Sequence, residues 1–249
     1  MAGTRRTVGL IAGLAVAVLA VAAFGGWWFL IRDDAPKKAS IDAAGKTLAD
    51  ASSGSTTTAA GAAATDVNGT WQVDKSVGDF SDFSGTWAGY RVEEQLSGLG
   101  SNTAVGRTPD VTGSMTIEGN KVRGVEVNAD LTSLQSNSGS RDAALHSRGL
   151  QTDQFPKATF KLTDPIEVPT GVTDGKKVTA TAQGELTVHG VTKPVTVQIS
   201  TTLKGGKAAV VGNAPIKLTD FNIEPPTGFR VLSIKNDGTF EFQIFFAKQ

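Results

Sequence analysis

The sequence predicts an all-β domain of about eight or nine antiparallel strands, arranged as a closed barrel or a sandwich. Residues 178–203 give the clearest signal, because apolar and polar side chains alternate through two long stretches there. Such alternation is typical of strands with one dry and one wet face. One dry face contains Val178, Ala180, Ala182, Gly184, Leu186 and Val188. We predict a turn over residues 189–194, with Gly190 at positive φ, and a second strand from Val195.

The residue pattern of the N-terminal part of the sequence predicts a membrane anchor. Residues 8–31 contain no charged side chain and at ~1.5 Å per residue span ~36 Å, enough to cross a bilayer. Arg5 and Arg6 precede this run, which favours residues 1–7 in the cytoplasm and the rest of the chain outside. The alternative is a cleaved signal peptide and a secreted protein, with the small residues 20–23 at the cleavage region.

Two regions follow the apolar run. Residues 32–68 are rich in Ala, Ser, Thr and Gly and predict a flexible linker, because they offer little to bury. Residues 69–249 predict the folded domain. Its other strand candidates lie near residues 87–93, 111–118, 125–131, 158–162, 208–218 and 240–246. Gly119-Asn120, Gly205-Gly206 and Asn236-Asp237-Gly238 are predicted turns. Residues 140–150 break the strand period and predict a short helix, capped by Ser138 or Ser140 and ended by Gly149.

Composition excludes several function classes. Lys plus Arg and Asp plus Glu both number 24, so no basic excess points to nucleic acid. The chain has no cysteine and only two histidines, His146 and His189, which argues against thiolate chemistry and multi-histidine metal sites. We also find no nucleophile elbow, HExxH, phosphate-binding loop or dinucleotide fingerprint, and therefore predict a protein that is not an enzyme and needs no cofactor.

Two segments resemble a known family. SRDAALHSRGLQTDQFPKATFKL is similar to the RDxxL … F/Y-P-x-x-x-F signature of the YceI-like family, and GELTVHGVTKPVTVQI resembles its central hairpin. GTWQVD and FEFQIFF also fit the ends of the family domain, so the resemblance covers residues 69–249. The segment VGDFSDFSGTWAGYRVEEQL lacks the early histidines of many members, and TAVGRTPDVTGSMTIEG resembles an actinobacterial variant.

The resemblance implies an extended, eight-stranded, lipocalin-like antiparallel barrel. Family members bind polyisoprenoids, including polyprenyl quinones, inside the barrel, and many are exported from bacterial cells. The implied partners are therefore an isoprenoid lipid and, through residues 8–31, the cytoplasmic membrane. A homodimer is compatible with the sequence.

An eight-stranded barrel either fills with its own side chains or holds a ligand. The residues alone leave both possibilities open, and the resemblance favours an apolar tunnel. The predicted lining consists of Tyr90, Val92, Met115, Ile117, Val125, Val127, Leu131, Phe155, Phe160, Ala180, Ala182, Leu186, Val197, Phe221, Phe240 and Phe242.

Polar residues near one predicted end are candidates for a head-group or gate site: Arg141, Asp142 and His146. The alternative is a solvated short helix with a structural contact between Arg141 and Asp142. For His189 we favour a turn residue that bonds nearby backbone. Two functions remain: an extracytoplasmic isoprenoid-lipid binder that carries, stores or scavenges its ligand, or a cell-envelope interaction module with a packed core.

Overall fold

The computed structural model describes residues 35–52, 66–228 and 230–249, and within these ranges twelve strands form one antiparallel sheet. The strands are β1 (Gly69–Val73), β2 (Trp87–Leu96), β3 (Gly100–Thr108), β4 (Val111–Glu118), β5 (Lys121–Asp130), β6 (Gln135–Ser136), β7 (Lys157–Leu162), β8 (Ile166–Glu167), β9 (Val178–Val188), β10 (Val191–Lys204), β11 (Lys207–Lys217) and β12 (Val231–Lys248).

Eight of these strands close a ring, in the order β1-β4-β5-β7-β9-β10-β11-β12 and back to β1. The long strand β12 makes closure possible because it has different partners along its length. Its C-terminal part pairs with β1, where Val73 lies opposite Phe246. Its N-terminal part pairs with β2, where Leu96 lies opposite Val231. The predicted eight-stranded antiparallel barrel is confirmed.

The short helix predicted over residues 140–150 is also confirmed. It comprises α-helical residues Gly139–Ala144 and a π-helical turn, Leu145–Gly149. The Ser138 hydroxyl caps it by accepting the Arg141 N–H at 3.4 Å. Asp142 accepts hydrogen bonds from the Ser136 backbone N–H and hydroxyl, at 3.0 and 2.6 Å, and so ties the helix to β6.

The linker prediction is wrong for part of residues 32–68. Helix α1 occupies Ile41–Ser52 and buries Ala44 and Leu48 against the outer face of β10 and β11. Alanine has the highest helix propensity, and the i, i+4 spacing of Ala44 and Leu48 places both on the face of α1 that meets the barrel. Lys177 forms an ion pair with Asp42 at the start of α1. Residues 35–52, which comprise α1 and the segment before it, are called the N-terminal strap below.

The predicted anchor, residues 8–31, lies outside the described residues, as do residues 53–65 of the predicted linker. In the described ranges no helix is long and apolar enough to cross a membrane.

Two predicted turns differ from the structure. The turn after β9 has only two residues, His189 and Gly190, because Val191 already pairs with Val188. Pro194 therefore lies inside β10, in a part of that strand that pairs only with β9, where a missing N–H costs no ladder bond. Asn236-Asp237-Gly238 lies inside β12, where the register shifts between Ile234 and Gly238. The extra residues form an irregularity in the strand, not a hairpin turn.

Gly190→Val is expected to destabilise the domain by about 1 kcal/mol or more. Gly190 has the positive φ that was predicted, 72°. In addition, a Cβ atom there would lie 2.7 Å from Cε1 of Phe155. Thermal melts of wild type and variant check this, and Lys193→Val, exposed on the same hairpin, is the control. Equal losses in the two variants would contradict the role of the turn.

Candidate functional site

Two adjoining chambers occupy the barrel. The inner chamber has a volume of about 170 Å³ and an almost wholly apolar lining from β4, β5, β7, β9, β10, β11 and β12. The outer chamber has a volume of about 820 Å³ and lies towards the β2–β3 turn and the short helix. Five residues line both chambers: Ala88, Ala129, Ala158, Leu186 and Phe240. Three of the five are alanines, so the side chains at the junction take up little space.

Aromatic rings inside the barrel occupy the space where glycines of neighbouring strands have no side chain. A Cβ atom on Gly184 would lie 2.4 Å from Cζ of Phe160, and one on Gly212 would lie 2.5 Å from Cζ of Phe242. Tyr90 covers Gly106 in the same way, with Cε1 at 2.4 Å from the Cβ position. Each glycine lets a large ring lie along the wall, which leaves the middle of the barrel open.

The structure brings together fourteen of the sixteen residues predicted to line the interior. Those in the inner chamber are Met115, Ile117, Val125, Val127, Phe160, Ala180, Ala182, Val197 and Phe242. Tyr90, Val92 and Leu131 line the outer chamber, and Leu186 and Phe240 line both. Period-two alternation therefore located the dry faces of β2, β4, β5, β7, β9, β10 and β12.

Phe155 and Phe221 were predicted to line the interior, and this is wrong. Phe221 is fully buried in a packed cluster with Leu131, Leu150 and Ile223. Phe155 makes an edge-to-face contact with the ring of His189, with 4.6 Å between centroids. Both residues lie outside regular strands, where period-two alternation gives no information about direction.

His189 holds this packed corner together. Its Nδ1 lies 3.2 Å from the carbonyl oxygen of Phe221, and its Nε2 lies 3.1 Å from Oε1 of Gln151. Both ring nitrogens are thus occupied by structural contacts, and His189 lines neither chamber. The geometry agrees with a turn residue that bonds backbone.

The outer chamber contains a polar group without a partner. The Tyr90 hydroxyl is buried and has no hydrogen-bond partner in the described part of the chain. Burial raises the pKa of Tyr90 above its usual range, and the Arg141 guanidinium only partly opposes this effect. The hydroxyl is therefore a neutral donor at physiological pH, and a buried donor without an acceptor is costly.

The cation nearest to this hydroxyl, Arg141, is already paired with a carboxylate. Nη2 of Arg141 donates to Oε1 of Glu94 at 2.6 Å, and Asn102 donates to the same oxygen at 2.7 Å. The Glu94 side chain is 2% exposed and that of Arg141 is 17% exposed. This pair is neutral as a whole, and the Asp142 carboxylate also acts on the Tyr90 hydroxyl. A neutral hydrogen-bond acceptor therefore suits this part of the outer chamber better than an anion.

The three candidate head-group or gate residues have different positions. Arg141 lines the outer chamber. Asp142 binds Ser136, and His146 Nδ1 lies 2.9 Å from the Thr152 hydroxyl; neither residue lines a chamber. The alternative contact between Arg141 and Asp142 is replaced by the Arg141–Glu94 ion pair.

Glu94 was missed by the sequence analysis, although the pattern could have indicated it. In β2 the side chains of Tyr90, Val92 and Glu94 share one face, and Val92 and Glu94 are buried. A carboxylate on the dry face of a strand requires a buried partner. Over the residues that the structure describes, no group of three or more His, Asp or Glu side chains could hold a metal ion.

Comparison with known proteins agrees with this architecture. The model of the YceI-like domain matches residues 40–246. The chain belongs to the YceI-like family. The match begins at α1, so the family domain includes part of the strap as well as the barrel.

Curated relatives support the same assignment. Protein YceI of Shigella flexneri is 30% identical over 167 residues, 60% of this chain and 83% of that protein. A UPF0312 protein of Shewanella denitrificans is 32% identical over 155 residues, 59% of this chain and 78% of that protein.

Two solved structures share the fold. A polyisoprenoid binding domain from Saccharophagus degradans, implicated in plant cell wall breakdown, has a TM-score of 0.52 at 15% identity, covering 72% of this chain and 98% of that one. BcnA of Burkholderia cenocepacia has a TM-score of 0.50 at 18% identity, covering 67% of this chain and 98% of that one.

Proposed function

We propose that this YceI-like protein binds a polyisoprenoid or polyprenyl-quinone lipid inside the barrel, and that it carries, stores or scavenges that lipid outside the cytoplasm. The observation that carries the proposal is an apolar interior that passes through two adjoining chambers, the outer of which is lined by Tyr90. The relative from Saccharophagus degradans, described as a polyisoprenoid binding domain, has the same fold.

The lining favours a long, apolar ligand. Burial of hydrocarbon contributes roughly 0.8 kcal/mol per methylene, so a few isoprene units offset the cost of ordering the chain. The polar head would lie in the outer chamber, because the inner chamber has almost no polar surface. A quinone carbonyl would accept a hydrogen bond from Tyr90, whereas an anionic head group would meet an Arg141 that Glu94 already neutralises.

The location is proposed from the sequence. Residues 8–31 would anchor the chain in the cytoplasmic membrane, and Arg5 and Arg6 before them would leave the barrel on the extracytoplasmic side. Binding, not catalysis, is the function that the chambers support, because they combine a large apolar volume with few polar groups.

Native mass spectrometry of the full chain, purified in mild detergent from a bacterial membrane, tests the binding proposal. We expect one lipid per protein, and extraction should identify it as a polyprenyl compound. Protein that stays free of lipid after incubation with polyprenyl quinone would contradict the proposal.

Tyr90→Phe sharpens this test. Loss of one neutral hydrogen bond is worth about 1 kcal/mol, so affinity for a polyprenyl quinone should fall about fivefold. Affinity for a polyisoprenoid hydrocarbon without a head group should stay the same. Equal losses for both ligands would mean that Tyr90 does not contact the head group.

A further inference from the structure

Exposed leucines mark the rim of the outer chamber. Leu99 and Leu232 are 53% and 59% exposed, and they are the large hydrophobic residues that stand out to solvent among the described residues. The two segments that carry them lie side by side, because Leu96 pairs with Val231 and the Ser97 N–H donates to the Arg230 carbonyl at 2.9 Å. Leu99 and Val231 also line the chamber, so the exposed leucines lie at its opening.

Positive charge accompanies these leucines. Arg148 and Arg230 line the outer chamber, are exposed and have no ion pair within the described ranges. The other charged residues of the lining are paired, Arg141 with Glu94 and Arg91 with Glu241. Exposed apolar side chains beside an excess of arginine are the combination that binds the surface of an anionic bilayer.

The N-terminal strap attaches to the barrel wall close to the apolar run. Nη2 of Arg91 donates to the Pro36 carbonyl at 2.5 Å, and Nη2 of Arg107 donates to the Lys37 carbonyl at 2.6 Å. Residue 31, the last of the apolar run, is five residues before Pro36, so an extended chain between them spans at most ~17 Å. An anchor at residues 8–31 would therefore hold the barrel next to the bilayer.

The direction of the strap also indicates that its N-terminal end lies nearer to the rim than its C-terminal end. Helix α1 ends beside the β10–β11 turn, where a Cβ atom on Gly205 would lie 3.5 Å from Oγ of Ser52. Lys207 at that turn pairs with Ala247, near the C-terminal end of β12, whereas the rim lies at the N-terminal end of β12. The strap thus runs away from the rim. Its N-terminal end, which follows the predicted anchor, is the end nearer to the rim.

We infer that the rim of the outer chamber docks on an anionic phospholipid membrane, with Leu99 and Leu232 inserted at the head-group level and Arg148 and Arg230 facing lipid phosphates. This rests on the proposed lipid binding, to which it adds the route: the ligand passes between bilayer and barrel without crossing water. Docking in this orientation opens the chamber directly onto the membrane.

The absence of cysteine makes the test simple. Leu99→Cys, Leu232→Cys and, as control, Lys204→Cys each provide a single labelling site for an environment-sensitive fluorophore. Lys204 is exposed at the opposite end of the barrel, before the β10–β11 turn. The labelled full-length chains are placed in vesicles of phosphatidylcholine and phosphatidylglycerol that contain brominated lipid. We expect several-fold stronger quenching at residues 99 and 232 than at residue 204, weakened by high salt.

Quenching of equal size at all three sites would overturn the inference. So would a signal that depends on the protein-to-lipid ratio and shows energy transfer between labelled copies, because it would assign the leucines to contact with a second copy. Leu232 does not line the chamber. Leu232→Ser should therefore slow polyprenyl-quinone uptake from these vesicles several-fold and leave equilibrium retention unchanged. An uptake rate equal to that of wild type would contradict docking.

Failure of the two proposals can be told apart on the same vesicles. Labelled Leu232→Cys protein that retains quinone while its fluorophore stays unquenched would refute docking alone. A quenched rim on protein that never retains quinone would refute lipid binding and leave the membrane contact standing.

Discussion

Ala182→Phe is expected to abolish retention of lipid in the barrel while the ligand-free domain stays folded. Ala182 is 4% exposed, lies opposite Val197 and lines the inner chamber. A phenyl ring at this position would take the volume that a prenyl chain needs, and it would rest against apolar neighbours such as Phe160 and Phe242. Because a chamber of about 170 Å³ is present, we expect little change in the free energy of unfolding of the delipidated protein.

The matched control is Thr181→Phe, which puts the same ring on the exposed, outward face of β9. We expect it to retain lipid as wild type does. The measurement is a thermal melt of delipidated protein beside native mass spectrometry of each variant after incubation with polyprenyl quinone. If Ala182→Phe instead destabilises the delipidated domain by ~1–3 kcal/mol, the interior is overpacked, and the alternative of a packed core gains support.

The sequence predicted the barrel well because each strand of the ring has one dry face. In β9 the apolar residues Val178, Ala180, Ala182 and Leu186 recur at period two, and all four line the inner chamber. In β12 the same is true of Phe240, Phe242, Ile244 and Phe246. Period two fixes which side chains point inward, since a shift of one residue would reverse the two faces.

The open interior could not be predicted in the same way, because it depends on register between strands. Phe160 lies over Gly184, although neither residue indicates the other in the sequence. Their approach follows from the pairing of β7 with β9, in which Leu162 lies opposite Gly184. The residues alone therefore left both a packed core and an apolar tunnel open.

Helix α1 was missed for a different reason. Its sequence, IDAAGKTLADAS, has the small and polar composition of a linker, and only Ala44 and Leu48 are buried in it. What makes it part of the fold is the surface below, where Val211 and Phe245 lie buried on the outer faces of β11 and β12. Phe245 breaks the expected alternation of β12, and this apolar residue on the wet face was the available signal.

The strap is also held by a buried charged cluster that no local pattern predicts. Glu241 accepts from Nη2 of Arg107 at 2.9 Å and from Nε of Arg91 at 3.3 Å. Arg107 stacks on the ring of Trp87, 3.7 Å from its centroid, and the two arginines donate to the carbonyls of the strap. The members come from β2, β3 and β12, so only the folded sheet brings them together.

Glu241→Ala is expected to lower the free energy of unfolding by about 3–5 kcal/mol. The Arg107 side chain is 2% exposed, and without Glu241 its charge would be buried and lack a carboxylate. The matched control is Glu93→Ala, which removes a carboxylate from an ion pair with Lys235 in which both side chains are more than half exposed. Exposed pairs contribute about 0–1 kcal/mol. Urea denaturation of both variants measures the difference.

Limited proteolysis should cut the strap of Glu241→Ala first, because Arg91 and Arg107 would no longer be positioned to bind the Pro36 and Lys37 carbonyls. Losses of similar size in the two variants would show that the cluster does not hold the strap to the barrel.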